Sequence, residues 1–105
     1  MAVTQSPAFK KAAEESKQLT SKPSNEDLLE IYALYKVGTG ENIEAAPAPG
    51  MFDLKGKAKL KAWRDAVDDG ISAEDAQEKY VAKVEEMKTT YGFDASKKPE
   101  AVGSS

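Results

Sequence analysis

Two short stretches hold the side chains best suited to chemistry. Between Lys55 and Arg64 lie Lys55, Lys57, Lys59, Lys61 and Arg64, with no acid inside that window. That is five of the chain's 15 basic residues in a protein of net charge −3. Such a cluster attracts a polyanion, phosphates above all, because each lysine is a mobile cation with three donors. A merely solvated helix face would carry the same charges. The second stretch is Tyr32, Tyr35 and Lys36, spaced so that on a helix Tyr32 shares a face with both later residues. Two phenols and an ammonium on one stripe can stack on a base, donate to phosphates and cap a ligand. Core packing explains the tyrosines equally well, since a phenol buries its ring and keeps one polar tip. Tyr80 has the same two readings. Lys17 and Lys22 fall at or near the end of a first helix, where a cation complements the helix C-terminus.

Absent residue types narrow the chemistry further. The chain has no His and no Cys, which removes the commonest general base, the commonest metal ligand and the thiol nucleophile together. No G-x-S-x-G, P-loop or G-x-G-x-x-G is present. The expectation is a binding protein with no catalytic residues, no metal and no cofactor. An acidic balance disfavours nucleic acid as a partner. No apolar run is long enough to cross a bilayer, and the N-terminal residues lack the apolar core of a secretory signal. With no disulfides possible, the chain reads as a cytoplasmic protein without stable membrane insertion.

The elements that position these residues are helices. At 105 residues there is room for one core. Ser6-Pro7 opens a first helix, with Phe9, Ala12, Ala13, Ser16 and Leu19 as its apolar stripe and Lys22-Pro23 as its breaker. Ser24 caps a second, whose Leu28, Leu29, Ile31, Tyr32, Leu34, Tyr35 and Val37 require cover on two faces, with Gly38 as its stop. Gly38 to Met51 reads as a long loop. A third, short helix lies between about Asp53 and Val67. Ser72 caps the fourth and longest, with Ala76, Tyr80, Val84, Met87 and Tyr91 stepping by three or four and Gly92 closing it. Trp63, Phe9 and Met87 are expected in the core. Residues 1–92 form the domain, and 93–105 are polar, aperiodic and expected to be a disordered tail. The fold class is all-α.

The order of these residues along the chain adds more than any one of them. Phe9-Lys10-Lys11-Ala12-Ala13-Glu14, then Lys22-Pro23-Ser24, then Ile31-Tyr32-Ala33-Leu34-Tyr35-Lys36 closely resemble the acyl-CoA-binding protein family. So do Pro49-Gly50-Met51-Phe52-Asp53-Leu54-Lys55-Gly56-Lys57-Ala58-Lys59, continuing through Ala62-Trp63, and Ala76-x-x-x-Tyr80-Val81. The resemblance runs in register from Phe9 to Gly92. It implies a four-helix, up-down-down-up bundle that binds one long-chain acyl-CoA with high affinity, performs no catalysis, and acts as an intracellular carrier and pool former. By motif position it implies ligand contacts at Tyr32, Tyr35, Lys36, Lys59 and Tyr80, and less specifically at Lys17 and Lys55. In such proteins lysines neutralise the 3′-phosphate and pyrophosphate, aromatics hold the adenine, and the acyl chain lies in an apolar groove. The implied state is a monomer that meets acyl-CoA-using enzymes transiently.

Two departures stand out. Leu60 occupies the position after Lys59 where the family usually has tryptophan, and the loop between Lys36 and Pro49 is slightly longer than is typical. Both bear on acyl-chain preference and neither touches the head-group lysines. The alternative reading is a helical protein-interaction module whose basic patch meets an acidic partner.

Overall fold

Four hydroxyl or carboxylate side chains set where the helices begin. The computed structural model describes residues 4–46 and 48–94. The helices are α1 (Pro7–Glu15), α2 (Asn25–Gly38), α3 (Leu54–Asp68) and α4 (Ala73–Tyr91). Ser6, Ser24, Asp53 and Ser72 each accept from a backbone N–H three residues on, satisfying one of the donors a helix start leaves free.

Two expectations about element length do not hold. α1 stops at Glu15 rather than running towards Pro23: the Lys17 and Gln18 N–H groups donate three residues back, to Glu14 and Glu15, in a tightened last turn, where the Ser16 hydroxyl also donates to the Ala13 carbonyl at 2.8 Å. Leu19 then leaves helical geometry and pairs in an isolated antiparallel bridge with Phe93, where it is buried. Tertiary burial thus overrides a helical spacing that continued on paper. α3 keeps its expected bounds to within one residue, but at 15 residues it is not short and outruns α1, which has nine. The connection from α2 to α3 contains one 3-10 turn, Ile43–Ala45, which buries Ile43 and anchors the loop. The tail expected over 93–105 falls largely outside the described residues, although the Asp94 N–H donates to the Gln18 carbonyl at 3.2 Å.

Helix directions follow from who meets whom. At one end of α1 and α4 the Ser6 N–H donates to Gln77, and at the other Lys88 pairs with Glu15, so these helices run parallel. α2 opposes α4, since its start (Ser24, Asp27) meets Tyr91 while its end (Gly38) meets Gln77. Between α2 and α3, Tyr32 faces Lys59 and Lys36 faces Trp63, a step of four in the same sense on each. The result is up-down-down-up, and the long 39–53 connection is what two consecutive parallel helices require.

α2 lies at the centre, packed on α3 and on α4, as its broad apolar surface demands. Phe9, Val84, Ala76 and Met87 are fully buried. Gly38, the last residue of α2, is needed for close approach: a Cβ there would sit 3.1 Å from the Phe9 ring and 3.2 Å from Gln77. Buried Gln77 fastens that corner, donating to the carbonyls of Gly38 and Thr4 and accepting from the Ser6 N–H. No helix among the described residues is long and apolar enough to cross a membrane.

Candidate functional site

α2 carries two aromatic clusters side by side. The first faces α3. Lys36 and Lys59 reach the Tyr32 ring from two helices, with ammonium-to-centroid distances of 5.7 Å and 5.4 Å. The Lys36 ammonium also lies 5.5 Å from the Trp63 ring. Aromatic faces attract a cation without neutralising it. Lys36 has one carboxylate partner, Glu41, at 3.0 Å. Lys59 has no ion-pair partner among the described residues.

The second cluster faces α1 and α4. Phe9 stacks on Tyr35 at 5.5 Å and meets Tyr80 edge-on at 5.1 Å, with Tyr35 and Tyr80 5.8 Å apart. Tyr80 is buried, and its hydroxyl donates to the Ser16 hydroxyl at 3.3 Å. Burial pushes the Tyr80 phenol above its ordinary pKa, so it acts as a neutral donor or acceptor. Lys17 is exposed one residue beyond Ser16, on the turn that ends α1. Lys55 is exposed on the first turn of α3, one turn ahead of Lys59.

The structure therefore brings Tyr32, Lys36 and Lys59 into one group and Tyr35 and Tyr80 into the adjoining one, with Lys17 and Lys55 at the margins. The basic run of α3 divides. Lys61 pairs with Asp65 at 2.9 Å, Arg64 with Glu44 at 2.7 Å, and Lys57 donates to the Met51 carbonyl. Two further residues enter that spacing did not single out as part of the site. Trp63 is buried as expected of a core residue, yet its ring lies beside Lys36, and its indole N–H has no hydrogen-bond partner among the described residues. Its position four residues after Lys59 was the available signal. Glu41 had none, because the chain reversal that returns it to Lys36 is set by loop conformation.

Just ahead of Lys55, Met51, Phe52 and Leu54 stand open to solvent, Phe52 at 90% exposure. Their turn is held by the Asp53 cap and by the bond from Lys57 to Met51. A separate groove of about 350 Å³ lies between α2, α3 and the start of α4, lined by Leu34, Ala66, Ile71, Glu30, Asp65 and Asp69 among others. None of the candidate residues borders it, and its charged lining is three carboxylates with Lys79. Among the described residues no set of three acidic side chains converges as metal ligands.

Lysines laid on aromatic rings, with an exposed apolar turn at the start of the same helix, are the features that stand out on α2 and α3. Residues 6–84 match the family model described as acyl CoA binding protein. The chain is 46% identical over 85 residues to an acyl-CoA-binding protein homolog of Manduca sexta, covering 81% of this chain and 92% of that one. It is 50% identical over 86 residues to acyl-CoA-binding protein homolog 1 of Caenorhabditis elegans, covering 81% and 95% respectively. The crystal structure of Oryza sativa acyl-CoA-binding protein 2 superposes with a TM-score of 0.69 at 35% identity, over 87% of this chain and 96% of that one. The chain belongs to the acyl-CoA-binding protein family.

Proposed function

We propose that this protein binds long-chain fatty-acyl-CoA esters and carries them, holding the CoA head group on α2 and α3 and shielding the acyl chain on adjoining apolar surface. The observation that carries the reading is Tyr32, flanked by the ammoniums of Lys36 and Lys59 from two helices. Glu41 offsets the charge of Lys36 alone, and an anion that reaches both lysines forms charge-assisted hydrogen bonds to each. The phosphates of CoA supply such an anion, and the rings of Tyr32 and Tyr35 supply surface on which its adenine can stack. Lys55 and Lys17, at the margins, extend the positive field around a ligand with several phosphates. Met51, Phe52 and Leu54 offer apolar area for an acyl chain. Each methylene withdrawn from water contributes ~0.8 kcal/mol, so about eight contribute ~6 kcal/mol before ordering costs.

In this reading the protein is a monomeric cytoplasmic carrier. It needs no metal or cofactor, leaves the thioester intact, and hands its ligand to acyl-CoA-using enzymes. The interaction-module reading is weaker, because Lys61 and Arg64 are already paired within the chain and the basic run is not a continuous free patch. Calorimetric titration with acyl-CoAs of graded chain length, free CoA and free fatty acid tests the proposal. Acyl-CoA binds at one-to-one stoichiometry and far more tightly than either fragment. Equal affinity for a fatty acid and its CoA ester rules out the head-group assignment. Loss of thioester during incubation with purified protein rules out a pure carrier.

A further inference from the structure

We infer that Glu41 is a competitor built into the site: it neutralises Lys36 until a phosphate displaces it, and so sets how strong an anion the site accepts. The inference rests on the reading of Lys36 as a phosphate contact. Backbone geometry delivers the carboxylate. α2 ends at Gly38, and Gly40 adopts the left-handed conformation with φ 76°, which a side chain would strain. The reversed chain lets the Glu41 N–H donate to the Lys36 carbonyl at 3.2 Å. The Glu41 side chain then lies back over the last turn of α2, and both of its oxygens accept from the Lys36 ammonium at 3.0 Å. The Thr39 hydroxyl stands 3.0 Å from the Lys36 carbonyl and 3.2 Å from the same carboxylate, so it can donate to either.

The two partners are unequally held. Lys36 is 24% exposed and rests on the rings of Tyr32 and Trp63, whereas Glu41 is 45% exposed. Glu41 can therefore swing into water while Lys36 stays in place. An incoming monocarboxylate exchanges one carboxylate for another at Lys36 and gains little. A phosphate monoester brings a charge of about −1.5 to −2 and three acceptor oxygens, and outcompetes Glu41. The competitor lowers affinity for every anion and leaves only strong ones bound.

The test uses the full chain and hexadecanoyl-CoA in calorimetry, with melting temperature measured alongside. Glu41→Gln tightens binding roughly three- to tenfold, the scale of a part-exposed ion pair plus the removed like charge. The gain disappears when Glu41→Gln is combined with Lys36→Ala. Glu78→Gln, which removes an exposed charge elsewhere, leaves affinity unchanged. Unaltered or weaker binding by Glu41→Gln, alongside weakening by Lys36→Ala, overturns the inference and leaves the Lys36 reading standing. An equal gain from Glu78→Gln overturns it by assigning the effect to overall charge. No effect of Lys36→Ala removes the Lys36 reading, and the inference with it.

Discussion

Lys83 and Lys88 lie along α4, with side chains 13% and 19% exposed; Lys36, on α2, is 24% exposed. Burial hardly separates them, but their partners do. Lys83 is met by Asp27 at 2.9 Å, with Glu30 and Glu86 within 3.8 Å. Lys88 is met by Glu15 and Glu85, and its ammonium also lies 4.5 Å from the Phe93 ring. Lys36 has two aromatic rings and one carboxylate, while Lys59 has one ring. An ammonium among several carboxylates is neutralised and fastens helices together. An ammonium laid on aromatic faces keeps most of its charge and has something left to offer a ligand. The lysines of α4 thus fasten helices, whereas in the proposed reading Lys36 and Lys59 serve a ligand.

The sharpest way to break that contrast is to remove one lysine of each kind. Lys36→Ala and Lys59→Ala each weaken acyl-CoA binding by roughly 1.5–3 kcal/mol, the worth of a hydrogen bond to a charged group, and leave the melting temperature almost unchanged. Lys83→Ala does the opposite. It strands Asp27 and two nearby acids and costs about 1.5–2 kcal/mol of stability, while affinity for hexadecanoyl-CoA stays as it was. Thermal unfolding and calorimetry on the three variants decide the matter. A Lys36 variant that melts early yet binds normally makes that lysine structural and dissolves the distinction.

Much of this arrangement was legible in the sequence. The serine caps at Ser6, Ser24 and Ser72, the two covered faces of α2 and the burial of Phe9, Trp63 and Met87 all follow from local spacing and polarity. So does the shared face of Tyr32 and Lys36, because residues four apart on a helix are neighbours. The end of α1 was not legible, since Leu19 leaves the helix for a partner, Phe93, far along the chain. Nor was the division of the α3 lysines. Arg64 is neutralised by Glu44, which reaches it only because the 3-10 turn after α2 folds back towards α3. A window without acids in sequence is therefore not a window without acids in space. Leu60, half-buried on α3, leaves the consequence of the missing tryptophan to chain-length titration.

The structural half of the comparison also has a pH signature. Asp27 accepts from the Tyr91 hydroxyl at 2.6 Å and pairs with Lys83, and these contacts hold its carboxyl below the ordinary 3.8. A carboxyl lowered by folding contributes stability that is present above the unfolded-state pKa and is lost as pH falls through the folded value. Lys83, raised above its ordinary 10.5 chiefly by its bond to Asp27, contributes fully below 10.5. Its contribution is lost as pH rises through the folded value. The pair is therefore intact at neutrality and fades at both extremes. Asp27→Asn is less stable than the parent at pH 7, and the two converge as pH falls from the ordinary carboxyl value through the lowered Asp27 value. A stability gap that does not change between those values would show that Asp27 acts by packing or capping alone.

The smallest expected effect is optical and concerns the half proposed to meet the ligand. Trp63 is 3% exposed, its indole N–H has no partner among the described residues, and the Lys36 ammonium stands 5.5 Å from its ring. An indole so enclosed cannot be reached by a ligand without repacking, but its emission responds to a unit charge at that distance. If a phosphate displaces Glu41 from Lys36, a more highly charged anion replaces a carboxylate beside the ring, and the field across it changes. Binding of hexadecanoyl-CoA should therefore shift Trp63 emission slightly at one-to-one stoichiometry, with no gain in quenching by acrylamide. Lys36→Ala should abolish the shift at saturating ligand, whereas Lys59→Ala, whose ammonium lies over Tyr32, should preserve it. A large shift accompanied by new acrylamide access would mean that ligand opens the α2–α3 seam. In that case the lysines would be separated from their rings on binding, and the aromatic support assigned to them here would belong to the unliganded protein only.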